Sequence, residues 1–363
     1  MIKALIVDDS ALVRKLLGEI FARETDFAVE FARTGVEALE KLQSFAPDVI
    51  TLDINMPVMD GLSCLDRIMV ERPCPVVMLS SVTAAGADAT LEALRLGAVD
   101  VIAKPTGAVS LEIPDMSQHL VDKVRAAASA RLPSSLRLAD RIRHRTAGGP
   151  KRPALKASPV QASIELQRLS GQGLVLIGTS TGGPPALEAV LTALPANFGW
   201  PVLVVQHMPA TFTGALAKRL NGICALAVSE VTQVTRLEPG GIYLARGDAD
   251  MIVSRRGRQL VAMPAPGLEG YLWKPSVDRL VRTALEQVEP TQLVGVLMTG
   301  MGSDGSQAMT ELHAKGGRAI AEAEETAVVW GMPGELAKAG GADWILPVGE
   351  IGGALNKLVP LCP

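Results

Sequence analysis

Histidine is scarce in this chain. His119, His144, His207 and His313 are the four present in 363 residues, so any histidine-dependent chemistry draws on one of them. Cysteine is equally rare, and Cys64, Cys74, Cys224 and Cys362 do not have the spacing of metal ligands. They read as scattered small hydrophobes rather than a disulfide framework. No run approaches the roughly 18 apolar residues that a membrane helix requires. An excess of one charge is also missing. The net charge of -3 excludes a dedicated nucleic-acid or polyanion binder. The opening MIKALIVDDS reaches an acidic pair where a secretory leader would be apolar, so a cytoplasmic chain without membrane insertion is expected.

What is present is apolar material, 48 % of the residues, enough for two cores, and the length fits two domains. Over the first ~125 residues short apolar runs alternate with helical patterns. Runs at 3–7, 49–52, 76–79 and 101–103 end at Asp8-Asp9, Asp53, Ser80 and Lys104, and 27–33 alternates like a strand. Five β-α units imply a five-stranded parallel sheet covered on both faces. Between 129 and 170 the pattern stops. Arginine, lysine and proline dominate there, which reads as a flexible basic linker. Periodicity resumes at Gly173, with strands expected at 174–177, 201–205, 242–245, 293–298 and 344–346 and helices between them. This predicts a second doubly wound, mostly parallel α/β domain over 171–363, following a first domain over 1–128.

In the first domain, Asp8, Asp9 and Asp53 are brought to one sheet edge if the strands are parallel. Crowded carboxylates need a hard cation, and Mg²⁺ suits that role. Lys104 and the Ser80 hydroxyl would complete a cradle for phosphoryl oxygens. The segment from Leu52-Asp53-Ile54-Asn55-Met56-Pro57 to Asp60-Gly61 resembles the phosphoacceptor loop of response-regulator receiver domains, which are flavodoxin-like. The resemblance implies that Asp53 takes a phosphoryl group from a histidine kinase. It further implies that Asp8, Asp9, Asp53 and the Asn55 backbone hold Mg²⁺, that Lys104 contacts the phosphate and that Ser80 is the switching hydroxyl. The position before Ile102, often aromatic in receivers, is Val101.

In the second domain, Gly178-Thr179-Ser180-Thr181-Gly182 fits a G-x-S-x-G elbow between strand and helix. A glycine-rich turn after a strand can also cradle a dinucleotide, but that fold wants an acidic residue about 20 positions on. Here the next strand ends in Gln206-His207. His207 is therefore the candidate general base for Ser180. His119 falls in the first domain's last helix, His144 in the linker and His313 within a helix. An orienting carboxylate is needed, and Asp304 follows the strand at 293–298 within Thr299-Gly300-Met301-Gly302-Ser303-Asp304-Gly305. Backbone N–H groups of Met301 and Thr181 are the candidate oxyanion hole. The chemistry expected is acyl transfer by a Ser-His-Asp triad. No cofactor is expected for it.

Three segments, 177–183, Gln206-His207-Met208-Pro209 and 298–305, together resemble the motifs of the CheB chemotaxis methylesterase family. The resemblance implies hydrolysis of glutamate γ-methyl esters on chemoreceptors with release of methanol, and deamidation of receptor glutamines. It also implies control by phosphorylation, with the receiver blocking substrate access until Asp53 is modified. A monomer is expected. The alternative is a receiver-linked adaptor or nucleotide-binding module without esterase activity, and no basic recognition helix after Gly171 supports a DNA-binding output.

Overall fold

The computed structural model describes residues 1–81, 83–104, 113–132 and 168–362. Most of the linker expected at 129–170, including His144, lies outside the described residues.

The first domain alternates β1 (Ile2–Val7), α1 (Ala11–Phe21), β2 (Phe27–Ala32), α2 (Gly35–Ser44), β3 (Val49–Asp53), α3 (Gly61–Glu71), β4 (Val76–Ser80), α4 (Ala84–Leu96), β5 (Asp100–Ala103) and α5 (Ile113–Ala128). The sheet runs β2-β1-β3-β4-β5 with every pair parallel. Strands β3 and β4 are buried throughout, as their unbroken apolar runs require between two helical layers. Polar residues after the strands start the helices. Ser10, Thr34, Asp60 and Thr83 each accept a hydrogen bond from the backbone N–H three residues on, satisfying otherwise orphaned donors. Because the strands are parallel, Asp8, Asp53, Ser80 and Lys104 meet at one edge.

The second domain comprises β6 (Leu174–Thr179), α6 (Gly183–Leu191), β7 (Val202–Gln206), α7 (Ala210–Ile223), β8 (Ala227–Val231), β9 (Thr235–Arg236), β10 (Gly241–Ala245), β11 (Asp250–Arg256) and β12 (Gln259–Ala265). These are followed by α8 (Val277–Gln287), β13 (Leu293–Leu297), α9 (Ser306–Ala314), β14 (Arg318–Glu322), α10 (Met332–Lys338), β15 (Trp344–Leu346) and α11 (Val348–Leu358). Seven strands form a sheet ordered β15-β14-β13-β6-β7-β10-β8, parallel throughout. The chain winds outward from β6 through β7 on one side and through β13 on the other. The crevice at the carboxyl ends of β6 and β13 is therefore a topological switch point, where ligands bind in open α/β sheets. The antiparallel β11-β12-β9 ribbon is an addition that the sequence reading did not anticipate.

The two domains meet along α4, β5 and α5 of the first. Helix α4 packs on α6 and α7, around a cavity of about 210 Å³. Arg131 N–H donates to the Val328 carbonyl at 2.9 Å, and its guanidinium pairs with Glu324 at 2.7 Å.

Candidate functional site

At the carboxyl edge of the first sheet, one oxygen each of Asp8, Asp9 and Asp53 lie within 4.8 Å of one another. Asp8 and Asp53 are buried and Asp9 is exposed. Lys104 Nζ stands 2.8 Å from both Asp8 Oδ2 and Asp53 Oδ1. Burial pushes the Asp53 carboxyl above its ordinary value and the Asp8 charge adds to this, while Lys104 and the Asn55 N–H, 3.3 Å from Oδ1, act against them. One ammonium against three carboxylates leaves a deficit of positive charge, and a donor set made only of hard oxygens fits Mg²⁺. Ser80 is buried and its Oγ donates to the Gly86 carbonyl at 3.2 Å, tying β4 to the first turn of α4.

The second site is built where β6, β7 and β13 end together. Thr179 pairs with Gln206, so the next residues, Ser180 and His207, leave the sheet side by side. The His207 N–H donates to the Thr179 carbonyl at 3.0 Å, and the Ser180 N–H to the Thr299 carbonyl at 2.9 Å. Close approach of the loops requires glycine at Gly300, where a Cβ would stand 2.7 Å from the Ser180 Cβ. Gly182, at φ +78°, turns the chain into α6.

Asp304 accepts four hydrogen bonds. Its Oδ1 takes the Ser276 hydroxyl at 2.9 Å and the Asp278 N–H at 3.1 Å. Its Oδ2 takes the Val277 N–H at 2.7 Å and lies 2.8 Å from His207 Nε2. The carboxylate thus sits on the N-terminus of α8, a site that favours negative charge, and it caps that helix rather than α9 beside it. Burial alone would raise the Asp304 carboxyl. The His207 hydrogen bond and charge, with the Val277 and Asp278 N–H groups, outweigh burial and hold it below its ordinary value of 3.8. Ionised Asp304 fixes His207 with its proton on Nε2, which leaves Nδ1 as the acceptor. His207 Nδ1 and Ser180 Oγ are both buried, and neither has a hydrogen-bond partner among the described residues.

Thr181 and Met301 lie on the two loops flanking Ser180. The Thr181 carbonyl accepts the Thr299 hydroxyl at 2.8 Å. The Thr181 hydroxyl is engaged by the first domain, donating to Asp100 Oδ2 at 2.5 Å. The Gly182 N–H donates to the Val99 carbonyl at 3.0 Å. His119, set aside in the sequence, reaches the same neighbourhood. It stands edge-on to Trp273, ring centroids 5.2 Å apart, and Trp273 stacks on His207 at 4.6 Å with planes 5° apart. His313 pairs with Asp343 at 3.1 Å and belongs to another part of the fold. Sequence reasoning missed Trp273 as a contact of His207. The signal was available, since one of only four tryptophans precedes the α8 cap Ser276 by three residues.

Two family models match the chain. The response regulator receiver domain matches residues 4–113 and the CheB methylesterase domain residues 175–355. A protein-glutamate methylesterase/protein-glutamine glutaminase of Rhodopseudomonas palustris is 56 % identical over 98 % of this chain and 97 % of its own. One from Rhodospirillum rubrum is 52 % identical over 98 % and 96 %. A third, from Carboxydothermus hydrogenoformans, is 45 % identical over 99 % of each. With receiver and esterase domains in one chain, matched from end to end at such identity, this protein belongs to the CheB family of receiver-linked methylesterases.

Proposed function

We propose that Ser180, His207 and Asp304 carry the protein-glutamate methylesterase and protein-glutamine glutaminase activity of this chain in chemotaxis adaptation. The observation that carries the assignment is the row made by the α8 N-terminus, the Asp304 carboxylate and His207 Nε2, with Nδ1 and Ser180 Oγ buried and unpartnered beyond it. His207 Nδ1 takes the Ser180 proton as Oγ attacks the γ-carbonyl carbon of a methylated glutamate. The Thr181 and Met301 N–H groups receive the oxyanion. The proton passes from His207 to the departing methoxide, and methanol leaves. Water, deprotonated by the same Nδ1, then releases the glutamate and restores Ser180. On glutamine the leaving group is ammonia. This part of the reaction needs no cofactor.

In the receiver, Asp53 takes the phosphoryl group from a chemotaxis histidine kinase. Lys104 holds a phosphoryl oxygen and Ser80 reports the change to α4. Asp8, Asp9, Asp53 and the Asn55 carbonyl would hold Mg²⁺, which when bound neutralises charge on the phosphoryl oxygens. The domains divide at 1–128 and 171–363, with 129–170 as a tether. Unphosphorylated, the receiver covers the esterase site. The contacts of Asp100 and Val99 with the nucleophile turn, and of His119 with Trp273, support that reading. The substrates are chemoreceptors, met in the cytoplasm by a monomer that has no helix, among the described residues, long and apolar enough to cross a membrane.

The test is methanol release from methylated receptor membranes by the intact protein and Ser180→Ala, with and without a small phosphodonor and Mg²⁺. Release that needs Ser180 and rises with phosphodonor is expected. Release indifferent to Ser180→Ala would remove the triad assignment.

A further inference from the structure

Glu322 is a buried carboxylate at the carboxyl edge of the second sheet that lies outside the triad. It ends β14, is 1 % exposed, and its oxygens are each taken by one donor. Oε2 accepts the Thr299 N–H at 2.7 Å and Oε1 the Thr326 hydroxyl at 2.9 Å. No cation pairs with it among the described residues. On its own segment Glu324 and Glu325 are exposed, with Glu324 held by Arg131. A carboxylate kept this dry without a counter-ion is costly, which asks what it holds.

It holds Thr299, and Thr299 holds the nucleophile. The Thr299 carbonyl accepts the Ser180 N–H at 2.9 Å. The Thr299 hydroxyl donates to the Thr181 carbonyl at 2.8 Å and accepts the Val329 N–H at 3.1 Å. One residue on, the Gly300 N–H donates to Val329 and the Gly300 carbonyl accepts Gly331 and Met332, fixing the backbone that leads into Met301. Two links therefore join Glu322 to both loops around Ser180.

We propose that Glu322 is a positioning residue for the hydrolysis, setting through Thr299 the placement of the Ser180 turn and of the Met301 loop. The proposal rests on Ser180 as nucleophile. Ionised Glu322 offers full acceptors to both donors. Protonation turns one oxygen into a donor and forces the Thr326 hydroxyl, which already accepts the Val348 N–H at 3.0 Å, to reorient. Burial pushes the Glu322 carboxyl up to about 6, opposed only by the Thr299 N–H and the Thr326 hydroxyl. A pH profile from 5 to 8 therefore spans the titration of Glu322. Glutamine at this position keeps one acceptor for Thr299 and cannot titrate.

The experiment measures kcat and KM for methanol release from methylated receptor membranes between pH 5 and 8. It uses the full chain, Glu322→Gln, Glu322→Ala and Ser180→Ala, with thermal unfolding of each. Glu322→Ala is expected to lower kcat at least about 10-fold with little change in KM, as misplacement of reacting groups does. Glu322→Gln should keep kcat within about 3-fold at pH 8 and lose from the acid limb the proton that Glu322 takes up. An unchanged kcat in Glu322→Ala, or the same acid limb in Glu322→Gln and the unaltered chain, would overturn the proposal. If Glu322→Ala does not fold, the Glu322→Gln limb decides. Full activity in Ser180→Ala would instead remove the nucleophile assignment on which this rests.

Discussion

Replacing Asp304 by asparagine tests the most constrained point of the site. The carboxylate is an acceptor for four donors, and an amide has one accepting oxygen and one NH₂ group. With NH₂ at the Oδ2 position it faces the Val277 N–H and His207. The backbone donor cannot turn away, and the imidazole can satisfy the amide only by presenting a bare Nε2 with its proton on Nδ1. That tautomer has no lone pair for Ser180. With NH₂ at the Oδ1 position the Ser276 hydroxyl can rotate to accept, but the Asp278 N–H loses its acceptor. This second placement keeps an amide oxygen for His207 Nε2–H, so only the first loses the tautomer, at about 10⁴-fold in kcat for a serine triad, roughly 5.5 kcal/mol in barrier. Asp304→Ala leaves no acceptor in either case and carries the rate prediction. Losing the negative charge on the α8 N-terminus costs about 1–2 kcal/mol of stability. The stability part has a pH signature. The folded carboxyl lies below 3.8, so its stabilisation is present above that value and is lost as pH falls through the folded one. The stability gap to Asp304→Asn should be constant from pH 5 to 8 and close in stronger acid. Methanol release gives the rate, and urea unfolding at several pH values gives the gap. A kcat within 10-fold of the unaltered protein in Asp304→Ala, where no acceptor faces His207, would refute the assignment of Asp304 as the group that orients His207.

Asp53→Asn should abolish the rise in methanol release on adding a phosphodonor while leaving unstimulated release within about 2-fold, since Asp53 contacts nothing at Ser180; this is read from the same assay. Gly61→Ala places a Cβ 2.1 Å from the Asp53 carbonyl oxygen and 2.8 Å from the Ile54 Cα, backbone that cannot yield without moving the phosphoacceptor loop. It should cost about 2–3 kcal/mol, visible as a fall of several degrees in Tm, and should slow phosphorylation of Asp53 by a small phosphodonor. Arg131→Glu turns the 2.7 Å pair with Glu324 into a repulsion. Both side chains are exposed, so the change is worth at most about 1 kcal/mol, and unstimulated methanol release should rise no more than about 5-fold.

The first domain was legible because its chemistry stands at strand ends. A period-2 or unbroken apolar run followed by Asp, Ser or Lys marks both the strand and the edge to which its last residue is delivered. Ser180, His207 and Asp304 were picked out by the same rule, each on a loop that follows a parallel strand. What escaped depends on contacts that no local pattern encodes. The β11-β12 ribbon was missed although Gly257, at φ +62°, marks its turn, because the flanking residues combine arginine with alternating apolar positions. No strand was expected at 318–322, where β14 lies, so Glu322 had no place in the sequence pattern, and its partner Thr299 comes from the loop after β13. The Thr181–Asp100 hydrogen bond joins residues 81 positions apart on two separately built surfaces, and neither residue announces the other.

The position of that bond constrains how the receiver can act. Asp100 opens β5 and Lys104 follows its end, about 13 Å apart at strand rise. On the proposed reading, phosphate on Asp53 would meet Lys104 at one end of β5, while Val99 and Asp100 hold the Thr181-Gly182 turn at the other. Along β5 the two ends are a strand length apart, and on the proposed reading the influence travels as a displacement of β5 and the helices beside it. Lys123 on α5 joins the parts that would move, since its Nζ lies 2.8 Å from Asp100 Oδ1 and donates to the Val101 carbonyl at 3.2 Å. One strand carries Asp100 to Thr181, and the helix tied to it by Lys123 carries His119 to Trp273. A shift of this unit would release both contacts together and uncover His207. Trp273 emission, taken as the difference between the intact chain and Trp273→Phe, should then change on phosphodonor addition in step with methanol release, and should not change in Asp53→Asn. Emission that stays constant while release rises would show that the site opens by another movement.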